Sequence, residues 1–396
     1  MANILVLTPR YPYPIEAGDT LRIYNLCKEL SSEHSLTLLS LCNSREDFRR
    51  QPDGVFDRIE RVYHPRWKAC YQSLKAFLKG EPLQIGYFRS KKFATRTDNL
   101  VDGHDLVLAH FTRTGQYIKG RSNVPTVLEM TDAFSLNYKR VASLNRWSFK
   151  ELLYRIEAPR AYRYERSTVY DFDLVSLVSD VDRDFLLNGD QQRPDHVRVY
   201  TNGIDLESRP FSLPSTSPNM AFIGNMRTVH NQASCDYFIQ KVLPLVREDI
   251  PAATFKIIGS APKSIHKKYE DNPGVQVTGW VDSIAEAAEN AFCGVGVMRV
   301  GCGLQNKILE YMALGLPVVA NEIGVEGIDI NTGTEAWIAE SPEEIATLLV
   351  DLYQDHNRQT ELARAARKFV ERHHTWETAL RPFVEDVNGL LGKCEK

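Results

Sequence analysis

Residues 299–320 read RVGCGLQNKILEYMALGLPVVA. An apolar run, GVGVM at 294–298, leads into them, and Gly301, Cys302 and Gly303 turn the chain. Apolar side chains then recur at helical spacing over about 305–313. Gly315 stops the helix, and Pro317 opens a second apolar run, PVVA. Strand, glycine turn, helix, glycine stop and strand make a βαβ unit, which implies parallel strands. The turn leaves backbone N–H groups free at a helix N-terminus, and both favour an anion such as a diphosphate. Lys307 lies in the first turns of this helix and Glu310 three residues on, so both project from one side. A lysine for phosphate and a carboxylate for ribose hydroxyls compose a nucleotide-sugar site. An ordinary βαβ unit with a surface Lys–Glu pair has the same spacing.

The alternation continues on both sides of this stretch. Upstream within the same half, strands are expected at 219–224, 254–258, 275–278 and 294–298, with helices at about 231–247 and 283–291. Downstream come strands at 317–320 and 336–339 and a helix at 342–354. A helical tail follows over 358–391, broken near Pro382. Before residue 206 a separate series runs: strands at 3–8, 35–41, 105–109, 124–129, 173–178 and 196–200. Its helices fall at 20–31, in a basic region at 66–80, at 146–168 and from Ser179. The Pro- and Ser-rich segment RPFSLPSTSPN after Asp205 separates the two series. Two open α/β domains result, 1–205 and 206–375, with a C-terminal helix over about 376–396 returning to the first. Ligands of such sheets sit beyond the carboxyl ends of the strands, so a cleft between two facing domains is the expected site.

Charge is uneven. Residues 1–205 carry 30 Lys/Arg against 26 Asp/Glu, a net of +4, and the remainder carries 18 against 25, a net of −7. Within 138–170, Lys139, Arg140, Arg146, Lys150, Arg155, Arg160, Arg163 and Arg166 lie among seven aromatic side chains, including Tyr138 and Trp147. Such a stretch suits an anionic membrane surface, or a solvated helix face with its aromatic stems packed inward. No nucleic-acid partner is expected. Seven scattered cysteines without a CxxC pair suggest neither a zinc knuckle nor a disulfide framework. No apolar run spans a bilayer, and the start MANILVLTPR lacks a basic leader, so a cytoplasmic protein is expected, peripheral on the inner membrane face if the basic stretch meets lipid.

Further candidates stand at strand ends. Gly18 closes the loop PRYPYPIEAG before the first helix, and Arg22 on that helix faces the cleft or solvent. His110 ends DLVLAH, and Asp132 follows the next strand in LEMTD; they are read as a hydrogen-bonding group and a base at the acceptor hydroxyl, or as structural strand-end residues. Arg227 follows FIGNM and is a candidate diphosphate ligand. Asp180-Val181-Asp182 has the look of a metal-binding DxD, but Ser179 with Asp182 is a helix-capping pattern. No metal or cofactor is expected.

Lys307, Glu310, Ala313, Gly315, Pro317 and Val318 resemble the donor-binding motif of retaining GT-B glycosyltransferases of family 4. TPRYPYPIEAGDTLRIYNL at the start is similar to a bacterial branch of that family associated with exopolysaccharide assembly. VYTNGID (199–205), FIGNMRTVHNQASCDYFIQKVLP (222–244), FKIIGSAP (255–262), VTGWVDSI (277–284) and FVERHHTWETAL (369–380) follow in the order such enzymes have. The resemblance implies the GT-B fold of two Rossmann-like domains, an acceptor-binding first domain and a nucleotide-sugar-binding second. It implies metal-independent transfer to a saccharide or lipid-linked acceptor. It assigns donor contacts to Gly18, Arg227, Gly303, Leu304, Gln305, Asn306, Lys307 and Glu310, and catalytic roles to His110, Asp132 and Lys307. The chain departs from the pattern at Cys302, where the family has a glutamate. A GT-B-fold nucleotide-sugar epimerase and a non-catalytic nucleotide-sugar-binding subunit are the alternatives.

Overall fold

The structure is a computed structural model that describes residues 1–15, 18–50, 53–121, 123–143, 149–188 and 193–394. The chain divides into two compact units. One comprises Met1–Thr201 with the chain from Ala379 onward, and the other Asn202–Thr378.

The first unit opens with β1 (Asn3–Thr8), α1 (Gly18–Ser31), β2 (Ser35–Cys42) and β3 (Arg58–Tyr63). Helices α2 (Arg66–Leu78), α3 (Leu83–Tyr87) and α4 (Lys91–Val101) lead to β4 (Leu106–His110). Then come α5 (Phe111–Gly115), β5 (Thr126–Thr131), α6 (Phe134–Ala142), α7 (Phe149–Thr168), β6 (Leu174–Leu177), α8 (Asp180–Leu186) and β7 (Val197–Val199). All strands are parallel, in the order β3-β2-β1-β4-β5-β6-β7. β1, β2 and β4 are apolar and buried almost throughout, as strands covered on both faces must be.

The second unit contains β8 (Asn219–Ile223), α9 (Val229–Tyr237), α10 (Leu243–Asp249), β9 (Thr254–Ile258), α11 (Lys263–Tyr269), β10 (Val275–Gly279) and α12 (Ile284–Ala288). It continues with β11 (Cys293–Gly296), α13 (Asn306–Leu314), β12 (Val318–Ala320), α14 (Glu322–Val325), β13 (Ala336–Ile338), α15 (Pro342–Gln354) and α16 (His356–His373). The sheet is again parallel, in the order β10-β9-β8-β11-β12-β13. Its core gathers Phe222, Phe238, Phe255, Val295 and Leu349, with the rings of Phe238 and Phe255 stacked at 4.4 Å.

Strand order reverses between β1 and β4 in the first sheet and between β8 and β11 in the second. At such a reversal the connecting helices leave on opposite faces and open a crevice at the strands' carboxyl ends. The α/β class and parallel sheets expected from the sequence are present.

Three local expectations need correction. The sequence reading has no strand at 58–63, yet RIERVY forms β3; as an edge strand it keeps charged side chains, which hides its apolar alternation. The sequence reading likewise has no helix at α4 or α6. The C-terminal tail breaks at His374–Thr375, and Pro382 lies inside α17 (Trp376–Cys394). The break is set by tertiary contact: the Ile204 N–H donates to the His374 carbonyl at 2.7 Å, and His374 Nδ1 lies 3.0 Å from the Asn202 carbonyl. Gly203 is required between them, because a Cβ there would stand 2.5 Å from the Trp376 backbone.

Candidate active site

In the second unit the site grows from how α13 sits on the sheet. β11 reads CGVG, and its glycines let the helix come close. A Cβ at Gly294 would lie 2.3 Å from the Tyr311 ring, and one at Gly296 2.5 Å from Ile308. The Tyr311 hydroxyl accepts from the Ile223 N–H at 2.8 Å and donates to the Val295 carbonyl at 3.3 Å, pinning α13 to β8 and β11 together. Gly315 ends the helix with φ of 83°, in the left-handed region glycine tolerates.

This seating carries Lys307 into the crevice between β8 and β11. Lys307 is buried, and its Nζ donates to Asn231 Oδ1 at 2.8 Å and lies 3.9 Å from the centroid of the Phe222 ring. Burial pushes its pKa down to about 8. Asn231 is itself held, its Nδ2 donating to the Asn225 carbonyl at 3.0 Å. The neighbouring His230 is pushed down to about 4 by burial and by the Lys307 charge, so it is neutral at physiological pH.

Glu310 follows one turn later and is half-buried. Its Oε1 faces the Arg209 guanidinium at 3.5 Å, while its Oε2 is buried with no hydrogen-bond partner among the described residues. Burial raises its pKa, against the pull of Arg209 and Lys307. An orphaned buried carboxylate oxygen costs about 1–3 kcal/mol unless something donates to it, so the position fits a ligand hydroxyl.

The remaining donor residues expected in this unit follow the carboxyl ends of β8 and β11. Gly303 takes φ of 62° in the turn, and Leu304 is buried. Gln305 caps α13, with its Nε2 3.5 Å from the Cys302 carbonyl. Asn306 Oδ1 accepts from Asn202 Nδ2 at 2.8 Å. Arg227 is exposed; its N–H donates to Asn225 Oδ1 at 3.0 Å, and no partner of its guanidinium occurs among the described residues. Asn321, absent from the sequence reading, brackets Met298 through both its carbonyl and its N–H, which fixes where β11 releases the chain into the glycine turn.

The first unit has its own buried polar centre. Arg22, expected at a cleft or in solvent, is fully buried. Its Nε donates to Glu129 Oε1 at 2.7 Å, and its terminal nitrogens reach Ser176 Oγ and the Thr201 carbonyl at 3.2 Å. Glu129 Oε2 accepts from His110 Nδ1 at 2.7 Å, and Thr131 adds its N–H and hydroxyl. Burial would raise the Glu129 pKa, but Arg22 and His110 hold it at about 2. His110 is pushed down, chiefly by burial and against Glu129, so the neutral ring donates through Nδ1 and leaves Nε2 without a hydrogen bond among the described residues. Phe111 and Thr131, directly after β4 and in the last position of β5, hold φ of 65° and 64°. Left-handed backbone at non-glycine residues clusters at functional sites. Asp132 is half-buried just beyond Thr131, and Gly18 opens α1 on the surface. Of the DxD-like triplet, Asp182 accepts from the Ala133 N–H at 3.0 Å and its own N–H is capped by Ser179, while Asp180 pairs with Arg183. Arg146 and Trp147 of the basic stretch lie outside the described residues.

Residues 217–355 match the family described as Glycosyl transferases group 1. A Klebsiella pneumoniae chain described as an uncharacterized 44.6 kDa protein in the cps region is 24% identical over 388 residues, covering 94% of this chain and 97% of its own. Among solved structures, sucrose-phosphate synthase from Thermosynechococcus elongatus aligns with a TM-score of 0.72 at 15% identity, over 99% of this chain and all of its own. TarM from S. aureus gives 0.70 at 12% identity over 99% of both chains. Anabaena HepE in complex with UDP-glucose gives 0.67 at 14% identity, over 98% of this chain and all of its own. These likenesses establish the fold as GT-B.

Proposed function

We propose that this chain is a retaining, metal-independent glycosyltransferase, moving a hexose-type sugar from a nucleotide-sugar to a saccharide or lipid-linked acceptor in cytoplasmic assembly of a bacterial polysaccharide. The observation that carries the reading is the pairing on α13. A buried, oriented ammonium at Lys307 stands one turn from a carboxylate with an unanswered oxygen at Glu310, inside the segment matching the group 1 family. HepE, similar in fold, is known bound to UDP-glucose, and the cps-region chain is similar over 97% of its length.

In this mechanism Glu310 accepts from the ribose hydroxyls. The N–H groups around Gly303, Leu304, Gln305 and Asn306 meet the diphosphate with Lys307 and Arg227. The bond from the anomeric carbon to phosphate breaks, and its electron pair passes to the diphosphate, whose growing charge Lys307 and Arg227 neutralise. The acceptor oxygen forms the new bond on the face the phosphate leaves and gives its proton to Asp132, with His110 Nε2 orienting the sugar.

A thermal-shift panel of nucleoside-diphosphate sugars identifies the donor, because ligand bound to the native state raises stability by mass action. The donor so found is then assayed for transfer. Lys307→Ala is expected to lower turnover by roughly 10²–10³, the loss typical of one oxyanion donor. Wild-type turnover in that variant overturns the assignment.

A further inference from the structure

The large apolar side chains of α2 point the wrong way for a packing helix. It buries the small residues Ala69 and Ala76, and α3 presses on that face so closely that a Cβ at Gly86 would lie 2.5 Å from the Ala76 methyl. Trp67, Tyr71, Leu74 and Leu78 are instead 68%, 54%, 58% and 77% exposed. Their spacing of four, three and four residues puts them on one stripe along the helix. Lys68, Lys75 and Lys79 line one flank of that stripe. Lys68 lies 5.2 Å from the Trp67 ring and Lys75 4.4 Å from that of Tyr71. From Arg61 to Gly80 the chain holds five basic residues and no acidic one.

The neighbouring α7 is inverted in the same sense. It buries Glu151, Glu157 and Glu165 while exposing Leu152 and Ile156. Glu157 accepts from the Leu83 N–H at 2.7 Å, and Arg160 covers the Phe77 ring at 4.2 Å, so α7 and the α2–α3 hairpin form one surface. Beside the stripe, a cavity of about 1150 Å³ lies between Trp67 and Tyr71 on one side and Lys91, Lys92 and Arg96 on the other. Its only lining carboxylate, Glu60, is already paired with Arg58 and Arg96.

We infer that α2, with the exposed side of α7, docks on a bilayer surface containing anionic lipid. The stripe lies at the acyl boundary, and the flanking lysines meet headgroups. Apolar side chains beside lysine, with the nearby carboxylates Glu60 and Glu81 already paired to arginines, match the one surface that is apolar in depth and anionic at its face. A saccharide would satisfy the cations but leave Leu74 and Leu78 in water. The inference names the surface on which a lipid-linked acceptor would be met, and so extends the acceptor reading above. Its test uses no donor, so either can fail alone.

The test is flotation of the full chain with phosphatidylcholine vesicles, with and without phosphatidylglycerol. The wild-type chain is expected to float with the phosphatidylglycerol vesicles and to be released by high salt. Trp67 fluorescence should shift to the blue on binding, an effect lost in Trp67→Ser. Leu74→Ser/Leu78→Ser is expected to weaken binding about tenfold or more, as is the charge reversal Lys68→Glu/Lys75→Glu/Lys79→Glu, with wild-type melting temperatures in both. Absence of wild-type flotation overturns the inference, as does undiminished flotation of both variants. A wild-type chain that stays with the buffer and elutes as a dimer, which Leu74→Ser/Leu78→Ser converts to a monomer, would make the stripe an interface between copies and equally overturn it.

Discussion

Lys307 stands in an environment that makes its charge costly. Buried against Phe222 and held by Asn231, it titrates near pH 8. It is therefore cationic below that pH and loses its proton above it. A bound pyrophosphate favours the charged form, so affinity for a nucleoside-diphosphate sugar, whose pyrophosphate diester does not itself titrate in this range, should be level below about pH 8 and fall as pH rises through it. Calorimetric titration on either side of that pH checks this, and Lys307→Met should bind weakly with no such step. A second residue-scale expectation concerns Arg22. It is the only arginine hydrogen-bonded to the buried Glu129 among the described residues, and removing one partner of a buried pair strands the other. Arg22→Met should cost about 3–5 kcal/mol in denaturant unfolding. The pairing also gives a sign in acid. Glu129 has its folded pKa lowered to about 2, so its stabilisation is complete above the unfolded value and disappears as pH falls toward 2. The acid limb of stability should therefore flatten in Glu129→Gln. The spacing of Lys307 after a glycine turn leaves an ordinary surface Lys–Glu pair open, and what the structure adds is the burial of Lys307. Glu129 was not singled out, although its signal was present: a lone carboxylate inside the apolar strand TVLEMT must be paired or capped. What the sequence could not name was the partner, 107 residues away.

Elements were legible where both faces are buried and obscure where one is not. β1, β2 and β4 announce themselves as apolar runs, whereas β3 carries Arg58, Glu60 and Arg61 at the sheet edge. The helix breaks follow the same logic. Gly315 ends α13 through its own backbone preference, so a local reading finds it. The break at His374 depends on a carbonyl and ring claimed by the distant Asn202–Ile204 segment, while Pro382, the local breaker, is absorbed within α17. The glycines of β11 show how one element sets the place of another. Gly294→Ala would place a methyl within the Tyr311 ring's space and lift α13 from the sheet. Overpacking of this kind costs about 1–3 kcal/mol. Because Lys307 rides on the same helix one turn earlier, the variant should also lose diphosphate affinity out of proportion to its lost stability. Calorimetry at a temperature where the variant remains folded separates the two effects.

At the scale of the whole chain, two kinds of ligand are assigned to two stretches of sequence far apart in number, and the assignments can be read in one experiment. Binding that orders a segment slows amide exchange there, because local opening must now also release the ligand. With UDP, peptides covering residues 223–231 and 298–312 should gain protection. These carry the loop after β8, the glycine turn and the first turns of α13, the places where backbone N–H groups or Lys307 would meet a diphosphate. Peptides over residues 66–80 and 151–160 should be unchanged by UDP and protected instead by phosphatidylglycerol vesicles. Lys307→Ala should abolish the first pattern and spare the second, and Leu74→Ser/Leu78→Ser should do the reverse. A cross-over in which UDP protects α2, or in which the Lys307 variant loses vesicle protection, would mean that the two surfaces are one energetic unit and that charge, rather than the particular geometry of α13, governs nucleotide binding. Because the first unit carries the net positive charge and the second the net negative one, a purely electrostatic account predicts that nucleotide protection appears in the first unit. Protection confined to 223–231 and 298–312 therefore selects a built site over a merely attractive surface.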